Sequence, residues 1–273
     1  MGSTTISDVR RPGLPKPSGG TDLVRRLKNN RRVPIAVFKF LNRAKEEFEC
    51  PLCGYKGPFR DRESPGGFRK HAICPNCSAF ERHRLQHLVV NNVLGGLNVR
   101  EMKALHFAPE TFFKSIFSKR FQQYETADLF MQGVDHKADL QNLPFNDETY
   151  DFIFASHVLE HIPDDRKAIH EIRRVLRPNG IAILPVPVIC TETIEYPEAN
   201  PREEDHVRAP GLDYFERYKQ CFGKVEIFAS DLFPAKYQLF VYENRSGWPT
   251  KDWPLRQPMQ GEKHPEYVPV CHA

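Results

Sequence analysis

The sequence predicts an α/β protein in which a small cysteine-rich module precedes a larger domain. The chain has 273 residues, which suits one large domain with a small appendage. Strand-like and helix-like patterns alternate over residues 78–243, as they do in a parallel sheet covered by helices on both faces. Residues 50–77 hold two Cys-x-x-Cys pairs. We therefore expect a basic leader at 1–47, the cysteine module at 48–79, the α/β domain at 80–243, and an extended tail containing proline and tryptophan at 244–273.

The composition is that of an ordinary soluble protein, with 27% charged and 40% hydrophobic residues, which excludes global disorder and fibrous repeats. No window approaches 18 consecutive apolar residues, so no membrane span is expected. The first twenty residues lack the apolar core of a signal peptide. These features predict a cytoplasmic protein with reduced thiols and without a membrane partner.

The charge is concentrated at the start of the chain. Residues 1–45 hold eleven Lys and Arg against two acidic residues, which is a formal charge of +9. Because the whole chain has a formal charge of +4, residues 46–273 together carry −5. Such an arm can bind nucleic acid, and it can equally be a solvated leader. A short helix is expected within 23–48, with Val33, Val37, Phe40 and Leu41 at helical spacing.

The cysteine pairs predict a structural zinc site formed by Cys50, Cys53, Cys74 and Cys77. Each pair sits in a tight turn that can direct two thiolates at one ion, and four thiolates leave no open position for catalysis. A redox pair or disulfides fit less well in a turn-rich intracellular module. Ser78 and Glu81 then indicate a capping box that begins a helix ending near Leu94.

The elements of the larger domain follow in order. Strands are expected at 103–108, 123–127, 137–140, 150–155, 181–184, 223–229 and 236–243, and helices at 111–120, 164–176 and 211–221. A ligand would bind at the carboxyl ends of the parallel strands. Because no glycine occurs between Gly96 and Gly133, a G-x-G-x-x-G dinucleotide turn and a P-loop are both excluded from the first strand–helix connection.

Two segments, DLQNLPFNDETYDFIFASHVLEHIP at 139–163 and EIRRVLRPNG at 171–180, carry a resemblance. This series resembles class I S-adenosylmethionine-dependent methyltransferases of the type 11 group. Residues 50–84, which end in S-x-x-E-R-H-R, and LHFAPE at 105–110 resemble a zinc-ribbon branch of that group. The resemblance covers about 48–243 and implies a Rossmann-like class I methyltransferase sheet, S-adenosyl-L-methionine as cofactor and Zn2+ as structural metal.

The resemblance also implies positions for the cofactor. Ala108, Pro109 and Glu110, preceded by Phe107, would form the turn beneath its methionine part, although this turn lacks the usual glycines. Asp128 would accept hydrogen bonds from the ribose hydroxyls. The predicted adenine neighbours are Asp139 and Leu140, and the predicted neighbours of cofactor and acceptor are Ser156 and His157.

An oxygen acceptor needs a base near neutrality, for which His157 and His206 are the catalytic candidates, with His106 a further one. Asp205 and Arg208 could orient a polar or anionic acceptor. Residues 157–161 spell H-x-x-E-H, an inverted zinc-peptidase motif, but they directly follow a buried strand rather than lying on a long helix. We therefore expect His161 to be a structural cap or pocket-wall residue.

Three functions remain open at this stage. The favoured hypothesis is a methyltransferase for a small-molecule or sugar-type acceptor, methylated at oxygen or nitrogen, with the zinc ribbon helping to frame the acceptor site. An RNA methyltransferase would use the ribbon and the basic arm over residues 1–45 to bind phosphates, and its binding would depend steeply on salt. A non-catalytic scaffold with the same fold would not bind S-adenosylmethionine. The sequence does not predict an oligomeric state.

Overall fold

The computed structural model describes residues 33–64, 67–251, 253–257 and 259–273. The predicted nucleic-acid arm falls mostly on residues 1–32, outside the described part. The chain divides into two units, 1–46 and 47–273. In the first, helix α1 (Ile35–Leu41) buries Phe38 and exposes Val37 and Phe40, which the sequence predicted for one apolar face. A seven-residue helix makes only about two turns, so spacing alone decides its buried face poorly.

The second unit contains fifteen strands and four α-helices within its described residues. The strands are β1 (Phe48–Glu49), β2 (Lys56–Gly57), β3 (Arg60–Ser64), β4 (Gly67–Ile73), β5 (Lys103–Phe107), β6 (Gln123–Asp128), β7 (His136–Lys137), β8 (Tyr150–Ala155), β9 (Leu176–Ile183), β10 (Ile194–Asn200), β11 (His206–Ala209), β12 (Lys224–Ala229), β13 (Val241–Tyr242), β14 (Lys263–His264) and β15 (Tyr267–His272). The helices are α2 (Glu81–Leu94), α3 (Thr111–Arg120), α4 (Asp165–Val175) and α5 (Phe215–Lys219). Short 3-10 turns lie at Leu159–His161, Pro201–Glu203, Leu212–Tyr214, Ser230–Leu232 and Ala235–Tyr237.

The main sheet has seven strands in the order β7-β6-β5-β8-β9-β15-β12. Strands β5 to β9 pair in parallel, and β15 is antiparallel to both of its neighbours. The chain runs outward from β5 to β7 and then returns to β8 on the other side, which is the doubly wound arrangement. The predicted Rossmann-like sheet, with helices on both faces, is confirmed. The point where the strand order reverses, between β5 and β8, is where such sheets bind their ligands.

The apolar pattern of the sequence explains the two layers that cover this sheet. Strand β8 buries Phe152 and Phe154 on one face and Ile153 on the other, so it is apolar almost throughout. On the first face its aromatic rings pack against Phe117 of α3, and on the other Ile172 of α4 joins the core. The predicted bounds of α3 and β8 agree with the structure.

The end of the chain differs from its prediction, because β15, from the expected tail, is a strand of the main sheet. The α/β fold is therefore not complete at residue 243. The prolines and tryptophans predicted an extended segment that lies across the body, and Pro269 takes part in the sheet itself through its carbonyl, which accepts a hydrogen bond from the Leu184 amide (3.3 Å). The strand expected at 236–243 is reduced to β13, which pairs with β4.

Three other boundaries move. Helix α2 begins after Phe80 rather than after Ser78, and the Phe80 amide donates to Nδ1 of His83 (3.1 Å). The third predicted strand shrinks to β7 because Asp139 turns the chain back, with its side chain accepting from the Gln141 amide. Strand β9 begins at Leu176, so the sequence RPNG is part of a strand.

A smaller sheet, in the order β14-β13-β4-β3, joins the hairpin of the cysteine module to the end of the chain. It extends the fold beyond the carboxyl ends of the main sheet's first strands, toward the cavity described below. No described helix combines the length and the apolar character that crossing a bilayer requires.

Candidate functional site

The four predicted cysteine ligands converge. The Sγ atoms of Cys50 and Cys77 are 3.6 Å apart, those of Cys53 and Cys74 are 3.7 Å apart, and all four lie within 4.8 Å of one another. Sulfur atoms around a tetrahedral Zn2+, each about 2.3 Å from the ion, would be separated by about 3.8 Å. The donor set and its spacing therefore fit zinc.

The same backbone turn presents both cysteine pairs. In the first, the Gly54 amide donates to the Cys50 carbonyl (2.9 Å), and in the second the Ser78 amide donates to the Cys74 carbonyl (2.9 Å). Both turns pass through a left-handed residue, Gly54 at φ +70° and Ser78 at φ +63°. Ser78 is thus part of the second cysteine turn, which explains why it does not cap α2.

The first turn of α2 joins this module to the larger domain. The buried Glu81 carboxylate pairs with Arg69 of β4 (3.1 Å), whereas Arg82 and His83 both contact Oε1 of Glu110 (2.9 and 3.0 Å). The fully buried guanidinium of Arg84 donates to four carbonyl groups, those of Ala72, Ala79, Tyr237 and Gln238. The E-R-H-R sequence therefore fixes the cysteine module in place.

A cavity of about 420 Å³ lies beside the carboxyl ends of β5 and β8. Its wall combines the cysteine-module hairpin, the β10–β11 segment and the end of the chain. Charged and imidazole side chains predominate: Arg62, Arg69, Arg82, Arg202, Arg245, Arg256, Glu110, Glu160, Glu203, Glu204, Glu243, Glu266, His157, His161 and His206. Six arginines balance six glutamates, so the cavity is strongly polar without a large net charge.

The turn after β5 forms one side of this cavity. Ala108 adopts φ +45°, the left-handed conformation that glycine supplies most readily, so the absence of glycine has not prevented a tight turn. Glu110, just before α3, lines the cavity, and its Oε2 is buried without a hydrogen-bond partner in the described chain. Burial opposes ionisation of this carboxyl, but its bonds to His83 and Arg82 lower its pKa to about 2. An ionised, partly unsatisfied acceptor fits an ammonium group of a cofactor.

The residues after β8 form the adjoining side. The buried Ser156 hydroxyl is held by Gln86, with Nε2 to Oγ at 3.0 Å. His157 adopts φ +55°, and its Nδ1 is 3.3 Å from Oε1 of the fully buried Glu160. Left-handed residues other than glycine cluster at functional sites, and here Ala108 and His157 lie in the turns that follow the neighbouring strands β5 and β8.

The predicted base His206 also lines the cavity, next to His161, and the two ring centres are 4.6 Å apart. Arg208 does not reach the cavity: it is buried and donates to the carbonyls of Leu159 (2.7 Å) and Ile162 (2.6 Å). The role that we expected for Arg208 in orienting an acceptor is therefore wrong, because its guanidinium instead fixes the 159–163 turn against β11.

Several predicted cofactor residues lie outside the cavity wall. Phe107 and Leu140 are in the hydrophobic core, and Pro109 is buried. Asp128 ends β6 as expected, with Oδ1 accepting from the amides of Phe130 (2.7 Å) and Met131 (2.6 Å).

Asp139 holds the turn after β7 through the Gln141 amide (2.9 Å). His106 is a core residue, since its Nδ1 contacts the Tyr124 hydroxyl (2.8 Å) and burial lowers its pKa to about 3. It is excluded as the base that the sequence suggested.

Sequence reasoning missed part of the wall. Trp248 and Trp253 come from the segment expected to be an extended tail lying across the body, and Arg256 lies against both rings while pairing with Glu203. The only sequence feature that singled out these tryptophans was that they occur together with five prolines in residues 244–273. Glu160 was missed although it stands inside the H-x-x-E-H motif.

Comparison with known proteins agrees with this fold. Residues 95–184 match a family model described as a methyltransferase domain, Methyltransf_11. Demethylmenaquinone methyltransferase of Staphylococcus epidermidis is 38% identical over 55 residues, covering 20% of each protein. The same enzyme of Lysinibacillus sphaericus is 26% identical over 125 residues, 46% of this chain and 45% of that protein. An uncharacterised Streptomyces fradiae transposon protein is 38% identical over 60 residues, 22% of this chain and 17% of that one.

The chain thus spans less than half the length of each of these relatives. Among solved structures, an S-adenosylmethionine-dependent methyltransferase of Mesorhizobium loti aligns with 11% identity and a TM-score of 0.46, over 68% of this chain and 97% of that one. Phosphoethanolamine N-methyltransferase 2 of Haemonchus contortus has 15% identity, a TM-score of 0.46, and coverages of 68% and 52%. Residues 95–184 thus match the methyltransferase domain family, and the strand order around them is that of a Rossmann-like sheet.

Proposed function

We propose that this protein transfers a methyl group from S-adenosylmethionine to an oxygen or nitrogen atom of a small, polar, sugar-type acceptor. The observation that carries this proposal is the cavity at the carboxyl ends of β5 and β8. There an unsatisfied carboxylate oxygen of Glu110 lies on the same wall as the His157–Glu160 pair. The Glu110 carboxylate suits binding of the cofactor's amino group, and the His157–Glu160 pair suits removal of a proton from the acceptor.

Glu110 is the residue that would hold the cofactor's amino group, since its Oε1 is occupied by Arg82 and His83 while Oε2 is free of protein donors in the described residues. Ala108 would lie under the methionine part, and Asp128 and Asp139 would meet the ribose and adenine. When bound, S-adenosylmethionine supplies an electrophilic methyl group on a sulfonium sulfur. The protein then has to bind, orient and deprotonate the acceptor.

The charged wall favours a polar acceptor. The names of the relatives concern menaquinone in the bacterial enzymes and a sterol in a Caenorhabditis elegans methyltransferase that is 46% identical over 43 residues. Sites for such apolar molecules are lined predominantly by hydrophobic side chains. Six arginines, six glutamates and three histidines around this cavity instead match hydroxyl, amino or anionic groups.

His157 is the general base in this proposal. The Glu160 carboxylate, with Oε1 3.3 Å from Nδ1, would stabilise the protonated ring by its charge, and Nε2 would take the acceptor proton. His206, on another part of the wall, would contact the acceptor.

The four-cysteine cluster would hold a structural Zn2+. Its four thiolates leave no open position, so its effect is on shape. The ion would fix the turns that flank the β3–β4 hairpin, and this hairpin contributes Arg62 and Arg69 to the cavity wall. In this way the zinc module would help to frame the acceptor site.

The proposal is tested by turnover. We expect the full chain to release S-adenosylhomocysteine from S-adenosylmethionine when given hydroxylated or amine-bearing polar compounds, and not when given quinols or sterols. His157→Ala should lower kcat by about 10²–10⁴-fold, with a smaller change in KM, because it removes the base.

The matched control is His170→Ala, an exposed histidine on α4, which should keep kcat unchanged. Turnover of a quinol or a sterol would contradict the proposed acceptor class. A His157→Ala protein with full activity would contradict the proposed base.

A further inference from the structure

A second group of potential metal ligands lies in the cavity wall, besides the four cysteines. Across the described residues two groups of side chains could hold a metal ion, and the second consists of Glu160, His161 and His206. Their ligand atoms lie within 4.8 Å of one another. Ligands about 2.1 Å from a shared tetrahedral ion would be about 3.4 Å apart, so binding of one ion would draw these atoms closer together by side-chain rotation.

The buried carboxylate of Glu160 favours the binding of a cation beside it. It is fully buried, and neither of its carboxylate oxygens has a hydrogen-bond partner within the described structure. His157 Nδ1, 3.3 Å from Oε1, lies outside hydrogen-bond geometry, and Oε2 has no such neighbour. An ionised carboxylate buried in this way is costly unless a positive charge compensates it.

His206 adds a second buried group without a partner. Its Nδ1 is buried and has no hydrogen-bond partner among the described residues. An imidazole nitrogen is a common ligand of transition-metal ions.

The cluster is held by a rigid frame. Glu160 and His161 belong to the 3-10 turn Leu159–His161, and His206 begins β11. Arg208, two residues along β11, donates to the carbonyls of Leu159, Ile162 and Pro163, and its Nε pairs with Glu195 (3.0 Å). These bonds keep the two chain segments together, so the three ligands face each other before any ion binds.

We propose that Glu160, His161 and His206 form a binding site for one divalent transition-metal ion, of which Zn2+ is the simplest case. Two imidazoles and one carboxylate are an established donor set for such ions, and three protein ligands leave at least one position open. Because all three residues line the cavity, an open position is accessible to a ligand there.

This site also narrows the acceptor class, a step that rests on the proposed function. An acceptor whose oxygen can coordinate a divalent ion, such as a hydroxyl flanked by a second hydroxyl, would bind best. His206 then contacts the ion instead of acting as a base, while His157, outside the ligand set, keeps its Nε2 for the proton.

Metal stoichiometry tests the site. The full chain, saturated with Zn2+ and passed through a desalting column, should retain two Zn2+ per chain, one for each cluster. Glu160→Gln and His206→Ala should each retain one, and the control His170→Ala should retain two. Co2+ added to protein whose cysteine site is already filled should give the visible bands of a nitrogen–oxygen site without the charge-transfer bands of thiolate ligands.

Retention of one Zn2+ by the wild type, or of two Zn2+ by either Glu160→Gln or His206→Ala, would overturn the site. If Glu160→Gln does not fold, as judged by its circular dichroism, His161→Ala takes its place, since His161 is half-exposed. Calorimetric titration with S-adenosylmethionine separates the two proposals: two metal ions without cofactor binding would contradict the function and support the site. Cofactor binding by a chain that retains a single metal ion would support the function and contradict the site.

Discussion

The four-cysteine cluster and the Glu160–His161–His206 cluster are built in opposite ways. The cysteines come from two copies of one backbone turn, with equal hydrogen bonds and a left-handed residue in each. The second cluster joins a 3-10 turn to a strand that begins 45 residues later along the chain. A closed set of four thiols suits a structural ion, whereas two imidazoles and a carboxylate in a cavity suit an ion with an open position. The cluster built from a repeated local turn is therefore the one that suits a structural ion. The cluster assembled from distant segments is the one that suits the proposed chemistry.

Each cluster nevertheless depends on one buried arginine that donates to backbone carbonyls. Arg84 binds carbonyls on both sides of the second cysteine pair, and Arg208 binds those of the turn that carries Glu160 and His161. Both side chains are almost completely buried. The two arginines allow the clusters to be perturbed separately without touching a ligand.

The largest effect is expected from removing the cysteine ligands. Cys50→Ser with Cys74→Ser should abolish zinc retention in that cluster and cost on the order of 10 kcal/mol of metal-binding free energy, since binding and folding of such modules are linked. Thermal melting followed by circular dichroism should show loss of the cooperative transition. Cys221→Ser, a partly exposed thiol outside the cluster, is the control and should melt as the wild type does. A double variant with unchanged melting and metal content would contradict a structural role.

Arg84→Met should have the next largest effect. Methionine fills a similar volume but leaves buried carbonyls without their donor, which should lower the free energy of unfolding by about 3–5 kcal/mol. Urea unfolding measures this difference, with the exposed Arg100→Met as control. If Arg84→Met lowered the free energy of unfolding by no more than Arg100→Met does, the cysteine module would not depend on Arg84.

Arg208→Met should cost less stability and act on the other cluster. We expect a loss of about 2–4 kcal/mol, because the 159–163 carbonyls lose their donor, together with weaker binding of the second Zn2+. Zinc binding to the cysteine cluster should be unchanged. The exposed Arg166→Met is the control. If Arg208→Met weakened zinc binding equally at both clusters, the two clusters would not depend on separate arginines.

The sequence predicted the features that depend on short-range pattern. Strand β8 and helix α3 agree with their predicted bounds because one is an apolar run and the other an amphipathic segment between clear breaks. The convergence of the four cysteines could be predicted because the spacing of the two pairs is typical of a metal site. Asp164, expected at the start of α4, caps that helix by accepting from the Lys167 amide (3.0 Å).

Features that depend on distant contacts were missed. The place of β15 in the sheet is set by pairing with β9 and β12, which no local pattern reveals. The motif at 157–161 ends in the 3-10 turn Leu159–His161, and its meeting with His206 could not be foreseen. Arg208, placed in the acceptor site by its neighbours in sequence, is instead buried by its bonds to the distant carbonyls of Leu159 and Ile162, which no local pattern reveals.

The most direct test of the methyltransferase account is calorimetric titration of the full chain with S-adenosylmethionine. We expect saturable binding at one site per chain, and about tenfold weaker binding for Glu110→Gln, because a charged hydrogen bond to the amino group becomes a neutral one. Glu101→Gln, an exposed glutamate before β5, should bind as the wild type does. Absence of binding by the wild-type chain would contradict the account and leave a fold without its cofactor.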